Sequence, residues 1–250
     1  MLGKEKIING YQLEICANST YSALQAQLGG ASRVELCQSL ELGGTTPSYG
    51  QIRQSRAALS IGIHVLIRPR AGDFLYSAME FEEMKEDIRF CKDAGCDGVV
   101  LGLLNKDGSI DKARNAALVE IARPMKVVFH RAFDRCKDPF TSLEELIALG
   151  FDRILTSGQQ LTAIAGKDLL KKLIDQAAGR IEIMPGAGVS DSHLLDLLSY
   201  TGARSVHSSA KINCLSQMSY NELPMMGMNE DVSETSREKV EALVALLERI

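Results

Sequence analysis

The stretches QLEICA (residues 12–17) and RVELC (residues 33–37) decide the fold. In the first, Leu13 and Ile15 fall on one face of an extended strand, and Glu14 and Cys16 fall on the other. The second stretch repeats the same order of aliphatic and polar residues. The segment between them is long enough for a helix, which is the connection that joins parallel neighbouring strands. The two stretches therefore predict a β-strand, helix, β-strand unit.

Similar β-rich runs recur along the whole chain, and each is followed by a helix candidate. The predicted strands cover residues 12–17, 33–37, 62–68, 98–102, 126–131, 152–156, 180–185 and 204–208. Glycine at positions 30, 95, 150 and 202 would end four of the helices before the next strand. An α/β fold with a single (β/α)8 TIM-like barrel fits this regular alternation. A doubly wound sheet fits less well, because ANST (residues 17–20) stands where a glycine-rich nucleotide turn is typical.

The predicted barrel uses the whole chain of 250 residues as one domain. Residues 1–10 form an N-terminal extension in this interpretation. Residues 215–234 are polar and lack periodicity, which predicts a long loop, and residues 235–250 form a terminal helix.

Composition narrows the class of partner. The net charge of −4 and the sequence pI of about 5.7 provide no basic surface for nucleic acid or an anionic membrane. We find no signal peptide and no apolar run long enough to cross a bilayer, so we expect a cytoplasmic protein. Six cysteines are too few for a disulfide scaffold and would remain thiols there. Small molecules or ions are the expected partners.

Two cysteines on neighbouring strands form the first candidate site. Alternation places Cys16 and Cys37 inside the barrel, each two residues after a glutamate, so the thiols should lie close together. Two thiolates suit a soft ion such as Cu(I), whereas zinc would normally need four ligands. Two other interpretations stay open: the thiols could fill a layer of the barrel core, or they could form a disulfide.

The ends of the third and fifth strands supply charged and titratable residues. Arg68 and Arg70 could bind a carboxylate or phosphate, or they could neutralise inward glutamates at positions 14, 35 and 182. His130, with Asp134 nearby, could act as a catalytic acid or base, or could simply be hydrogen bonded. Barrel enzymes keep their chemistry at this end of the strands.

Small and hydroxyl-bearing residues follow the last three strands. Gly186, Gly188, His207 and Ser208 occupy the positions where barrels often bind phosphate, and Ser157 adds a hydroxyl on the same rim. These residues predict an anion-binding loop. The alternative is that the glycines only make a tight turn.

Six ordered motifs together resemble the CutC copper homeostasis family. They are LEIC (13–16), RVELC (33–37), GGTTPS (43–48), IRPR (67–70), FHRAFD (129–134) and ILTSG (154–158), within a similarity that runs from about residue 11 to residue 211. The family's glycine-rich turn after strand seven is Gly186-Ala187-Gly188 here, and its small motif after strand eight is HSSA (207–210). Both departures could narrow an anion pocket.

The resemblance implies a cytosolic, homo-oligomeric TIM-like barrel that is linked to copper tolerance and binds Cu(I) through Cys16 and Cys37. The first hypothesis is therefore copper(I) binding for homeostasis. The alternative is a metal-independent barrel enzyme that acts on a small anionic or phosphorylated metabolite, with Arg68 and Arg70 holding the anion. The sequence leaves open whether the protein is an enzyme.

Overall fold

The computed structural model describes residues 5–220 and 231–250, in which parallel strands and helices alternate from end to end. The barrel strands are β1 (Gln12–Ala17), β2 (Arg33–Leu36), β3 (Gly62–Leu66), β4 (Gly98–Leu101), β5 (Lys126–Phe129), β6 (Arg153–Thr156), β7 (Glu182–Pro185) and β8 (Ser205–Ser208). The helices are α1 (Thr20–Leu28), α2 (Tyr49–Ala58), α3 (Ala78–Asp93), α4 (Lys112–Ala122), α5 (Pro139–Ala148), α6 (Lys167–Ala177), α7 (Leu194–Thr201) and α8 (Arg237–Leu247).

The eight strands form a barrel, which confirms the predicted fold. Parallel ladders join them in the order β7-β6-β5-β4-β3-β2-β1-β8, and contacts between β7 and β8 complete the circle. Each predicted strand is present, and four of the eight (β2, β3, β4 and β5) end one or two residues earlier than predicted.

Two apolar layers build the core. The outer layer packs between strands and helices and contains Leu13 and Ile15, as alternation predicted. The inner layer fills the barrel and consists of Cys16, Cys37, Leu66, Val100, Val128, Leu155 and Met184. The polar residues that share the inner face must therefore be paired or aimed at a ligand, because burial without hydrogen bonds costs several kcal/mol.

Short polar side chains determine where the helices begin. Ser19, Ser48 and Asp111 each accept a backbone N–H of the first turn, and Ser77 forms a full capping box with Glu80 before α3. These caps fix the loops that leave the carboxyl ends of the strands, where the candidate residues lie.

The predicted loop over residues 215–234 is wrong at its end. Val232–Thr235 forms strand β10, which pairs antiparallel with β9 (Lys211–Cys214), and residues 221–230 lie outside the described part of the chain. The terminal helix consequently begins at Arg237. Thr235 is the one buried residue of β9 and β10, so hydrophobic alternation could not indicate this two-stranded ribbon. Among the described residues, no helix is both long and apolar enough to span a bilayer.

Candidate functional site

Cys16 and Cys37 lie together near the carboxyl ends of β1 and β2. Their Sγ atoms are 3.5 Å apart and both residues are buried, which confirms the predicted proximity of the thiols. Backbone register places Cys16 opposite Glu35, so Cys37 lies two residues further along its strand. The tilt of barrel strands offsets this stagger and brings the two side chains to one level.

Glu35 and His207 complete what we call the thiol–histidine cluster, defined as Cys16, Cys37, Glu35 and His207. Cys16 Sγ donates to Glu35 Oε2 at 3.2 Å, and His207 Nε2 lies 3.8 Å from the same oxygen. One ligand atom each from Cys16, Glu35 and His207 lies within 4.8 Å of the other two. This set can hold a soft or borderline metal ion.

His207 enters the barrel from β8, the strand that pairs with the other edge of β1. A glycine on β7's loop makes room for it, since a Cβ at Gly186 would lie 3.2 Å from His207 Cβ and would collide with Leu155. The predicted loop glycine thus packs against the cluster.

Burial and mutual charge set the protonation of the cluster. The hydrogen bond from Cys37 and burial raise the pKa of Cys16 well above its ordinary value, and burial also raises the pKa of Glu35. Burial opposes protonation of His207, but the charge of Glu35 and bonds to Cys16 and Glu14 raise the pKa of His207 well above its usual value. The free protein therefore holds a neutral Cys16 thiol beside the imidazolium of His207.

A buried ion pair lies beneath the cluster. Arg33 Nε donates to Glu14 Oε2 at 2.6 Å, and both side chains are fully buried. Glu14 Oε1 lies 2.9 Å from His207 Nδ1, and Glu14 Oε2 lies 3.6 Å from His64 Nδ1. Burial raises the pKa of Glu14, but Arg33 and His207 outweigh it and hold that pKa well below its ordinary value. Glu14 therefore stays ionised and supports the charged form of His207.

The sequence interpretation missed Arg33. It occupies the same strand face as Glu35 and Cys37, two and four residues earlier, so alternation alone contains the signal. Arg33 and Glu14 are also direct partners in the β1–β2 register, which the sequence did not reveal.

The predicted neutralisation of inward glutamates by Arg68 and Arg70 is wrong. Arg68 donates to the carbonyls of Leu42, Gly44 and Gly72, and Arg70 pairs with Asp73 and Glu80 on the loop before α3. Arg33 neutralises Glu14, and Arg153 pairs with Glu182. β3 ends at Leu66, so Arg68 and Arg70 lie in the following loop and do not follow the alternation of the strand.

His130 and Asp134 occupy the end of β5 but have different surroundings. His130 is buried, its Nδ1 accepts from Ala132 N at 3.2 Å, and burial together with the charge of Arg68 lowers the pKa of His130 to about 3. The Asp134 carboxylate accepts the backbone N–H groups of Ser157 and Gln159 at 3.0 Å and 3.1 Å. Asp134 and Ser157 thus hold the loop after β6, and a catalytic role for His130 or Asp134 stays a prediction.

The predicted anion residues at strands seven and eight do not converge. Gly188 and Ser208 line a cavity of about 410 Å³ beside Lys211 and Lys239, while Gly186 and His207 belong to the thiol–histidine cluster. Ser208 Oγ donates to the Val189 carbonyl. Anion binding in this cavity stays a prediction.

Comparison with known proteins gives a consistent result. The CutC family model matches residues 11–212. A CutC family protein from Parabacteroides distasonis is 50% identical over 239 residues, covering 93% of this chain and 98% of that protein. The copper homeostasis protein cutC homolog of Homo sapiens is 47% identical over 235 residues, covering 94% of this chain and 86% of that protein.

Solved structures agree. The crystal structure of the CutC protein from Streptococcus agalactiae superposes with a TM-score of 0.76 at 36% identity, covering 80% of this chain and 98% of that one. Thiamine phosphate pyrophosphorylase from Pyrococcus furiosus, with a TM-score of 0.59 and 14% identity over 96% of this chain and 97% of that one, shares the fold alone. On the family match and the extent of these similarities, the chain belongs to the CutC family.

Proposed function

We propose that this protein binds Cu(I) in copper homeostasis, with Cys16 and Cys37 as the sulfur ligands. The observation that carries the proposal is the 3.5 Å separation of the two Sγ atoms, with Glu35 and His207 beside them. Sulfur ligands select soft ions such as Cu(I) over the hard ions that prefer oxygen. The names of the human and Streptococcus agalactiae relatives support a link to copper.

The sulfur separation in the free protein is shorter than a linear or a trigonal Cu(I) site needs. With metal–sulfur bonds of about 2.3 Å, the zinc–thiolate value used as a guide, a linear ion needs sulfurs about 4.6 Å apart and a trigonal one about 4.0 Å. The 3.5 Å in this protein is nearer the trigonal value. His207 is the neutral-donor candidate for the third position, after it has lost its proton.

Proton release must accompany binding. A cysteine binds a metal ion as the thiolate, so its thiol must lose a proton first. The neighbouring thiol and burial raise the pKa of Cys16 well above its ordinary value, so Cys16 holds that proton in the free protein. Glu35 accepts the S–H of Cys16 and is the nearest base to receive that proton. Affinity for Cu(I) should therefore rise with pH, because the apo form holds protons that the bound form lacks.

The decisive experiment is Cu(I) affinity by competition with a calibrated chelator under strict reduction. The wild-type protein should bind one ion per chain, and the Cys16→Ser/Cys37→Ser variant should lose that binding. Cys214→Ser is the matched control, since Cys214 Sγ also donates to a carboxylate, that of Glu234 at 3.6 Å. Undiminished binding by the double variant would reject the proposal, as would tighter binding of Zn²⁺ than Cu(I). The cytosolic location and homo-oligomeric state that the resemblance implied stay predictions.

A further inference from the structure

Arg68 is a buried cation without a carboxylate partner in the described part of the chain. Arg68 is only 5% exposed. Its guanidinium donates three hydrogen bonds, of 3.0, 2.6 and 2.9 Å, to the uncharged carbonyls of Leu42, Gly44 and Gly72. The other two buried arginines in the described residues, Arg33 and Arg153, are paired with Glu14 and Glu182. A buried charge is costly unless an opposite charge offsets it, so Arg68 is arranged to receive an anion.

Three polar atoms near this guanidinium lack a hydrogen bond of normal geometry: Arg68 Nε, His130 Nε2 and Tyr76 Oη. His130 Nδ1 accepts from a backbone amide, so the proton of the neutral imidazole is on Nε2, which is a donor. Burial raises the pKa of Tyr76 to about 12, against the opposing charge of Arg68, so its hydroxyl keeps its proton. All three atoms carry a proton that they can donate.

Arg68 and His130 both lie beside the Phe74 ring, and Tyr76 lies near Arg68. The Arg68 guanidinium carbon lies 5.2 Å from the centre of the Phe74 ring, and the His130 ring centre lies 4.9 Å from it. The charge of Arg68 acts on both His130 and Tyr76, which shows that the groups are near one another. Gly102 leaves room for the imidazole, because a Cβ there would lie 2.8 Å from His130 Nδ1.

We propose that Arg68 Nε, His130 Nε2 and Tyr76 Oη bind the carboxylate group of a small organic anion. The site offers one positive charge and three donors, which match the single charge and two oxygens of a carboxylate. A phosphate dianion would need a second cation, and Arg70, whose charge also acts on Tyr76, is neutralised by Asp73 and Glu80. The Phe74 ring supplies an apolar wall for the carbon part of the ligand.

This ligand site adjoins the thiol–histidine cluster but does not depend on it. Gly44 connects the two, since its carbonyl accepts from Arg68 while a Cβ at Gly44 would lie 3.6 Å from Cys37 Cβ. Anion binding at this site needs no copper. Anion binding and Cu(I) binding are therefore measured in separate experiments, and either can fail without the other.

Tyr76→Phe is the informative variant, because it removes one unpartnered hydroxyl and leaves the loop bonds of Arg68 in place. Acetate is the probe, with inorganic phosphate compared at matched ionic strength and without metal. Affinity is measured by calorimetry, and the ¹⁵N resonance of His130 Nε2 reports binding locally. Acetate should bind one per chain and shift that resonance. Tyr76→Phe should weaken acetate about tenfold, which corresponds to about 1.4 kcal/mol, and Tyr21→Phe, at an exposed tyrosine, should not.

Stability without ligand provides a second readout. Tyr76 Oη makes no hydrogen bond of normal geometry, so Tyr76→Phe should change the unfolding midpoint in denaturant little while binding acetate more weakly. Absence of saturable acetate binding would overturn the proposal. So would tighter binding of phosphate than acetate, or acetate binding that leaves the His130 resonance and the Tyr76→Phe affinity unchanged.

Discussion

Replacing Glu14 by glutamine should destabilise the protein by about 3 kcal/mol at neutral pH. The substitution removes the charge that offsets Arg33, and both side chains are fully buried at a separation of 2.6 Å. Breaking a buried ion pair typically costs about 3–5 kcal/mol. The lower value applies, because Arg33 keeps a hydrogen bond to Gln12 Oε1 at 3.0 Å and glutamine can still accept one. In a domain of this size the melting temperature should fall by about 6–12 °C.

The assay is urea unfolding followed by circular dichroism, at several pH values. The pKa of Glu14 is held well below the ordinary 4.5, so its contribution is full above that pH and is lost as the pH falls through the lowered value. The gap between wild-type and variant should therefore narrow in acid. The pKa of His207, which also depends on Glu14, should fall in the variant and is measurable by NMR.

Arg237 and Glu241 supply the matched control. Their Nε–Oε1 distance of 2.7 Å is nearly the same, but both side chains are about half exposed. Glu241→Gln should change stability little, because exposed pairs are screened by water and salt. If Glu14→Gln lowered the free energy of unfolding no more than Glu241→Gln does, the reasoning that burial strengthens the Arg33–Glu14 pair would be refuted.

Three further predictions concern the loops above the strands. Burial and the charge of Arg68 lower the pKa of His130 to about 3, so the unfolded chain takes up a proton near pH 6.5 that the folded one does not. The stability of the wild-type protein relative to a His130→Phe variant should therefore drop by about 2 kcal/mol between about pH 8 and pH 5, and equal slopes of the two proteins in urea titrations would contradict this. Gly44→Ala should cost about 2–3 kcal/mol in chemical unfolding, since Gly44 has a φ of +88° and a Cβ there would lie 2.7 Å from a leucine methyl of β3. Gly10→Ala, at a φ of +85° with nothing within 4 Å, should cost only about 1 kcal/mol, and equal losses would rule out the contact as the cause. Asp134→Ala should lower the free energy of unfolding by about 2–3 kcal/mol and expose the Ser157 amide to hydrogen exchange, because that amide loses its acceptor. If the amide stayed protected from exchange, Asp134 would not hold the loop after β6.

Local periodicity made much of the site predictable. Glu14, Cys16, Glu35 and Cys37 were assigned to the barrel interior from strand alternation, and the structure places all four there as buried residues. The eight-strand count was confirmed for the same reason. Successive strand residues point to opposite faces whatever the rest of the chain does.

Pairings across strands were not predictable in the same way. Cys16 faces Glu35 in the ladder, and Glu14 faces Arg33, because the strands are staggered as the barrel closes. His207 joins the cluster only because β8 pairs with β1. Register is a property of two strands and of barrel tilt, and it leaves no local pattern in either sequence.

The sequence by itself determined the order of strands and helices and which strand residues face inward. Alternate residues of a β-strand point to the same side, so a two-residue hydrophobic period shows which residues share a face. The tertiary structure alone decided which charges meet. It directs Arg68 to loop carbonyls and leaves its Nε without a hydrogen bond of normal geometry, while Arg33 neutralises Glu14. That choice depends on loop paths and barrel closure, which bring together residues far apart in the chain.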